Sequence, residues 1–300
     1  MDVLVGERAS GTDGGQGFII REAVLEDWWE CGRICYEAFG TVARAHGFPE
    51  DFPSVEAAAE PIRGMILSPS FYGVVAESDG RVIGSSFLDE RAAIRAIGPV
   101  TVDPKTQDVG VGRALMQAML DRVEACAAPG VRLVQIAYHN RSLSLYTKLG
   151  FQVRTALAAM HGPAIALRLP GYDVRPATAA DEAACNALCR RVHGFARAGE
   201  VGDAIAAGSA LVVERLGRIT GYTTGVTYWT HSVAETNDDM RALIGATADY
   251  GTPGFLVPTG NAELFRWCLE QGLRVFFVTT LMTVGMYHEP EGVYFPSVGY

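Results

Sequence analysis

Apolar residues recur along the chain in two rhythms. "YGVVAES" (72–78) and "RVIGSSFL" (81–88) are short, nearly continuous apolar runs on either side of Asp79-Gly80. That is the signature of two strands joined by a tight turn. "VGRALMQAMLDRVEAC" (111–126) instead repeats Val111, Ala114, Leu115, Ala118 and Met119, the spacing of one helical face. The same reading predicts a strand at 17–21, a helix with Asp27 in its first turn, and a polar, proline-containing stretch at 41–70 with a second helix near 55–67. Strands at 71–77, 81–88 and 94–102 follow, then a helix at 111–126, a strand at 132–138, a helix at 141–149 and a closing strand or hairpin within 151–168. "RLPGYD" (168–173) reads as a linker.

The pattern occurs twice. "IREAVLEDWWECGRICYEAFG" (20–40) aligns without a gap to "VRPATAADEAACNALCRRVHG" (174–194), matching Arg21, Ala23, Asp27, Cys31, Cys35 and Gly40 to Arg175, Ala177, Asp181, Cys185, Cys189 and Gly194. "YGVVAESDGRVIG" (72–84) matches "SALVVERLGRITG" (209–221), and "YTKLGFQV" (146–153) matches "CLEQGLRV" (268–275). The offsets fall from 154 to 137 to 122, so the second copy is a shortened duplicate. The expected domains are a lead-in at 1–16, a first copy at 17–168 and a second at 169–300. The cysteine pairs sit four apart on one helical face, which points to core packing rather than to a metal site lacking two ligands.

Composition narrows the function. The net charge of −9 argues against a nucleic-acid partner, and no apolar run reaches the ~20 residues of a membrane span. Six cysteines without close framework spacings and a start without a signal-peptide pattern suggest reduced thiols and a cytoplasmic location. The acidic surface weakly favours cationic small molecules.

Chemistry concentrates in "QDVGVGR" (107–113), between a strand and a helix. Two glycines one residue apart let the backbone approach a ligand closely. The helix start behind them adds unpaired N–H groups and a positive dipole end, an arrangement suited to phosphate.

With "VTVDPKTQDVGVGRAL" and "NRSLSLYTKLGF" in this order, the chain resembles the GNAT acetyltransferase superfamily, and the whole is similar to tandem-domain GNAT proteins of bacteria. The resemblance rests on Val102-Asp103-Pro104, on Gln107, Gly110 and Gly112 of a Q/R-x-x-G-x-G/A loop, and on Tyr146, Leu149, Gly150 and Phe151. It implies a mixed α/β chain of two tandem GNAT-type domains, each a mostly antiparallel, splayed sheet flanked by helices. It further implies acetyl-CoA as co-substrate and no metal. Gln107, Asp108, Val109, Gly110, Val111, Gly112 and Arg113 would cradle the pyrophosphate. Val100, Thr101 and Val102 would pair with the pantetheine arm where Pro99 interrupts the ladder. Tyr146 would be the acid that protonates the departing thiolate.

The departures matter as much. The strand "RAIGPVTV" lacks the superfamily's usual glutamate, which leaves Asp89, Glu90 or His139 as candidate bases, or a base relayed by water. The usual asparagine position falls on His139, with Asn140 next to it and suited to a helix N-cap. In the second copy Cys268 replaces the tyrosine, and Glu235, Asp238 and Asp239 stand where a phosphate would sit. That copy is expected to brace the first, with "GYTTGVTYWTH" (221–231) and "EGVYFPSVGY" (291–300) as candidate pocket walls. Arg44, His46, Glu50 and Asp51 lie in the stretch expected to form much of the acceptor pocket. The leading function is an N-acetyltransferase acting on a small-molecule amine, as a monomer or homodimer. The alternative is a non-catalytic acyl-CoA-binding regulatory module.

Overall fold

The computed structural model describes residues 17–106 and 109–299. The expected lead-in at 1–16, together with Gln107, Asp108 and Tyr300, lies outside the described residues. Compactness divides the chain into two units that differ from the two copies of the repeat. One holds the chain to Leu88 with Pro99–Ala125, and the other holds Asp89–Gly98 with Cys126–Tyr300.

The first unit contains β1 (Ile19–Glu22), α1 (Trp28–Ala45), α2 (Val55–Leu67), β2 (Phe71–Ser78), β3 (Arg81–Asp89), the end of β4 (Arg95–Val102) and α3 (Val111–Ala125). The strands follow the order β1-β2-β3-β4. Ser54 starts α2 by accepting from the Ala57 N–H at 3.3 Å. The core joins Cys31, Ile34 and Cys35 of α1 to Ala58 and Ile62 of α2 and to Val75, Val82 and Phe87 of the sheet. Burial pushes the Cys31 thiol up to about 12, so it packs as a neutral, apolar group.

The second unit contains the start of β4, then β5 (Gly130–Ile136), α4 (Asn140–Lys148), β6 (Gln152–His161), β7 (Asp173–Pro176), α5 (Glu182–His193) and α6 (Ala198–Ala206). It continues with β8 (Leu211–Arg215), β9 (Arg218–Thr223), β10 (Ser232–Ala234), α7 (Asn237–Ala246), β11 (Phe255–Pro258), α8 (Ala262–Glu270), β12 (Arg274–Gly285) and β13 (Val293–Phe295). Its strands run β4-β5-β12-β6-β11 in one sheet and β13-β10-β9-β8-β7 in another.

The repeat is visible in side chains. Arg21 clamps Asp27 at 2.7 and 2.8 Å and reaches Glu77 at 2.6 Å. Arg175 clamps Asp181 at 2.8 Å twice and reaches Glu214. Each aspartate also accepts a backbone N–H three residues upstream, from Val24 or Thr178. The matched Arg and Asp therefore lock the first strand to the start of the first helix in both copies. The core repeats too: Cys185, Leu188 and Cys189 pack with Val212 and Tyr222.

One feature departs from a simple duplicate. By the repeat, β11 is the counterpart of β5 and β12 that of β6. Yet β12 lies between β5 and β6, pairing Thr279 with Ile136 through to Gly285 with Gly130. On its other side β6 pairs with β11, from Phe255 with Met160 to Pro258 with Leu157. The second copy's β12 thus takes the place beside β5, and the first copy's β6 takes the place beside β11. The segment expected to close the first copy is thus a strand, without a hairpin, and it does not sit beside β5.

Candidate active site

The expected cofactor loop belongs to the first unit. Val100, Thr101 and Val102 end β4, where the Thr101 hydroxyl meets that of Ser85 at 3.2 Å. The Asp103 N–H donates to the Ile83 carbonyl at 2.9 Å. The Asp103 carboxylate accepts from the Lys105 N–H at 2.9 Å and from Arg33 at 3.2 Å, so the turn leaves the strand in a fixed direction. Gln107 and Asp108 lie outside the described residues. Val109 and Gly110 are exposed. Gly110 holds φ +88, which a side chain would strain. Its carbonyl accepts the first helical bond of α3, from the Ala114 N–H at 3.0 Å. The Val111, Gly112 and Arg113 N–H groups consequently have no acceptor within the helix. Val111 buries its side chain as an anchor while Arg113 stays exposed. Such a helix start can hold an anion.

The remaining candidates belong to the second unit. The parallel ladder of β4 with β5 comprises Arg95 with Val131 and Ala96 with Arg132. Local sequence explains why it is short. Gly98 adopts φ +157, which few side chains tolerate, and Pro99 has no N–H to give. On its other edge the whole of β5, from Gly130 to Ile136, pairs with β12. Past its end, the Ala137 N–H donates to the Val278 carbonyl at 3.0 Å. A tight turn follows, with the His139 N–H on the Ile136 carbonyl at 3.0 Å, and α4 begins.

His139, not Asn140, occupies the cap position of α4, and its side chain makes no capping bond. Asn140 is the exposed first helical residue. Two turns on, Tyr146 is buried, its ring 6.0 Å from that of Phe151. Burial pushes its phenol up to about 12, which keeps the O–H protonated and able to donate. Glu90 accepts from the Cys126 thiol at 3.5 Å. Asp89 is committed to Arg91, at 2.6 Å.

A residue that the motifs did not mark is Gln135 on β5, 3% exposed. Its amide nitrogen donates to the His139 carbonyl at 3.0 Å, to Ser142 Oγ at 3.1 Å and to the Ile136 carbonyl. The available signal was one amide inside the apolar run "RLVQIAY".

In the stretch expected to shape the acceptor pocket, Arg44 and Glu50 pair with each other, and the Tyr36 hydroxyl donates to Glu50 at 3.2 Å. Burial raises the Asp51 carboxyl to about 6. His46 sits at the end of α1, its Nδ1 2.8 Å from the Val42 carbonyl.

In the second copy the counterpart of Tyr146, Cys268, is a buried thiol raised to about 12. The start of α7 satisfies itself. Thr236 Oγ1 accepts from the Asp239 N–H at 3.2 Å, and Asp239 accepts from the Thr236 N–H at 3.1 Å. Asp238 pairs with Arg241 at 2.8 Å. Glu235 does not cap: it pairs with Arg191 at 2.9 Å and Arg218 at 2.6 Å. Among the described residues, no group of three or more His, Cys, Asp or Glu is arranged to hold a metal ion, and no helix is long and apolar enough to cross a membrane.

Comparison with known proteins bears on the fold. The acetyltransferase (GNAT) domain family matches residues 69–153. No curated protein matches. Among solved structures, a proposed acetyltransferase from Pyrococcus horikoshii is similar at TM-score 0.71 and 15% identity, over 96% of this chain and 98% of that one. A GCN5-related N-acetyltransferase from Sphaerobacter thermophilus is similar at 0.59 and 16%, over 91% and 96%. A tandem GNAT protein from the clavulanic acid biosynthesis pathway is similar at 0.52 and 13%, over 90% and 98%. At these identities the structures establish the fold, and the domain match covers 69–153. The chain therefore has the fold of two tandem GNAT-type domains, and residues 69–153 of its first copy resemble the acetyltransferase (GNAT) domain family.

Proposed function

We propose that the chain transfers the acetyl group of acetyl-CoA to a primary amine of a small molecule by direct attack. The observation that carries this reading is the β4–β5 ladder that stops after two residue pairs at Gly98-Pro99. It leaves strand edge for an extended ligand to pair with. Val100, Thr101, Val102 and Asn140 are assigned to the pantetheine arm. Gln107, Asp108, Val109, Gly110, Val111, Gly112 and Arg113 are assigned to the pyrophosphate.

The amine nitrogen attacks the thioester carbon, a C–N bond forms and the C–S bond breaks. The nitrogen loses a proton, to His139 or Glu90 or to water, and the departing sulfur gains one. Tyr146 is assigned the donor to sulfur. Its raised phenol stays protonated at neutral pH, as a donor must. The second copy, with Cys268 in that place and a self-capped α7, is assigned no turnover.

A non-catalytic acyl-CoA-binding role draws support from one observation, the burial of Tyr146 against Phe151. Thiol release from acetyl-CoA across a panel of primary amines separates the two. Amine-dependent release is the expected result. Tight coenzyme binding with no release for any amine would favour the regulatory module.

A further inference from the structure

We infer that Gln135 is a coenzyme-binding residue whose side-chain oxygen accepts a hydrogen bond from an amide N–H of the pantetheine arm. The inference rests on the acetyl-CoA reading above and assigns a contact within it. Gln135 is 3% exposed, and its Oε1 has no hydrogen-bond donor among the described residues. A buried amide oxygen without a donor loses the hydrogen bond it had in water, and native proteins rarely leave one so. The other end of the same amide is fully used. Its two N–H groups meet the His139 carbonyl, Ser142 Oγ and the Ile136 carbonyl, all in the turn that starts α4. The amide is thereby fixed in orientation, with its oxygen turned away from those acceptors.

Position adds the second argument. Gln135 lies in Leu133–Ile136, the part of β5 that continues after its ladder with β4 has ended. A ligand lying along that edge meets Gln135 before it reaches the α4 turn. The missing partner must be a donor, and acetyl-CoA brings two amide N–H groups in its pantetheine arm. Its nucleotide half carries neither. Gln135 would then serve twice, holding the β5–α4 turn with its nitrogen and the arm with its oxygen.

The test is calorimetric titration of the full chain with coenzyme A and, separately, with adenosine 3′,5′-bisphosphate. Gln135→Met should weaken coenzyme A about threefold to tenfold, the worth of one neutral hydrogen bond, and leave the bisphosphate unchanged. Ser142→Ala, which removes an acceptor from the turn but not Oε1, should retain coenzyme affinity. Equal binding of coenzyme A by Gln135→Met and wild type overturns the inference, as does equal weakening of both ligands. Should the variant not fold, the wild type decides with a coenzyme A whose pantetheine amides are replaced by esters. Weaker binding of the ester analogue supports the contact, and equal binding overturns it. A wild type that binds neither natural ligand overturns the acetyl-CoA reading itself.

Discussion

The Ala137 N–H donates to the Val278 carbonyl at 3.0 Å, a bond between a residue of the first copy and a residue of the second. It continues the ladder in which Ile136 faces Thr279. The strand that delivers α4 and Tyr146 is therefore braced by β12 of the second copy. A copy that has lost the tyrosine still supports the tyrosine of the other.

Residues 17–168 alone should accordingly not form a stable monomer. Without β12, the chain would have to exchange β6 with a second molecule or expose apolar strand edges. Sedimentation should report dimers or aggregates, and adding residues 169–300 should restore a 1:1 complex. A folded, soluble monomer of 17–168 would contradict the exchange.

The sequence made much of this legible, and physics explains the rest. The helix at 55–67 and the turn at Asp79-Gly80 stand where the pattern put them, because a cap and a glycine fix them locally. The exchange was not legible. The segment from β5 through α4 to β6 keeps the spacing of β11, α8 and β12, so β6 and β12 each fit either slot. Alternation records which face of a strand is buried, not which neighbour lies beside it. Gln135 carries no motif signal because the loop and the tyrosine define the motif, whereas its place follows from a ladder that ends early.

Tyr146→Phe removes one hydroxyl and keeps the ring against Phe151. If Tyr146 protonates the leaving thiolate, turnover should fall ~10²–10⁴-fold, the usual worth of a positioned acid. The Michaelis constant for acetyl-CoA should stay nearly constant. Steady-state kinetics on the best amine checks this, and a variant within twofold of wild type would reject the role.

Acid should destabilise the fold through a buried imidazole. His231 Nδ1 lies 3.2 Å from Glu200 and its Nε2 2.9 Å from the Tyr222 hydroxyl. Burial first, then Arg197, lowers His231 to about 4. Burial and Arg197 also lower His193. Between pH 6.5 and about 4 the unfolded chain binds protons that the folded chain refuses, so stability falls as pH falls. Each imidazole contributes a slope of up to about 1.4 kcal/mol per pH unit. His231→Gln should remove one proton's worth of slope in denaturant titrations across that window. An unchanged slope would show that the imidazole charges within the fold.

One copy of the repeat is expected to bind acetyl-CoA and the other is not. Gly110, at φ +88 before α3, contrasts with the start of α7, where Thr236 Oγ1 accepts the Asp239 N–H and the Asp239 carboxylate accepts the Thr236 N–H. Titration calorimetry of the full chain with acetyl-CoA tests this most directly. One site per chain is expected, abolished or strongly weakened by Gly110→Asp, which adds strain and a like charge at the helix start. Two equal sites, no binding, or full affinity in Gly110→Asp would show that α3 of the first copy is not the single coenzyme site.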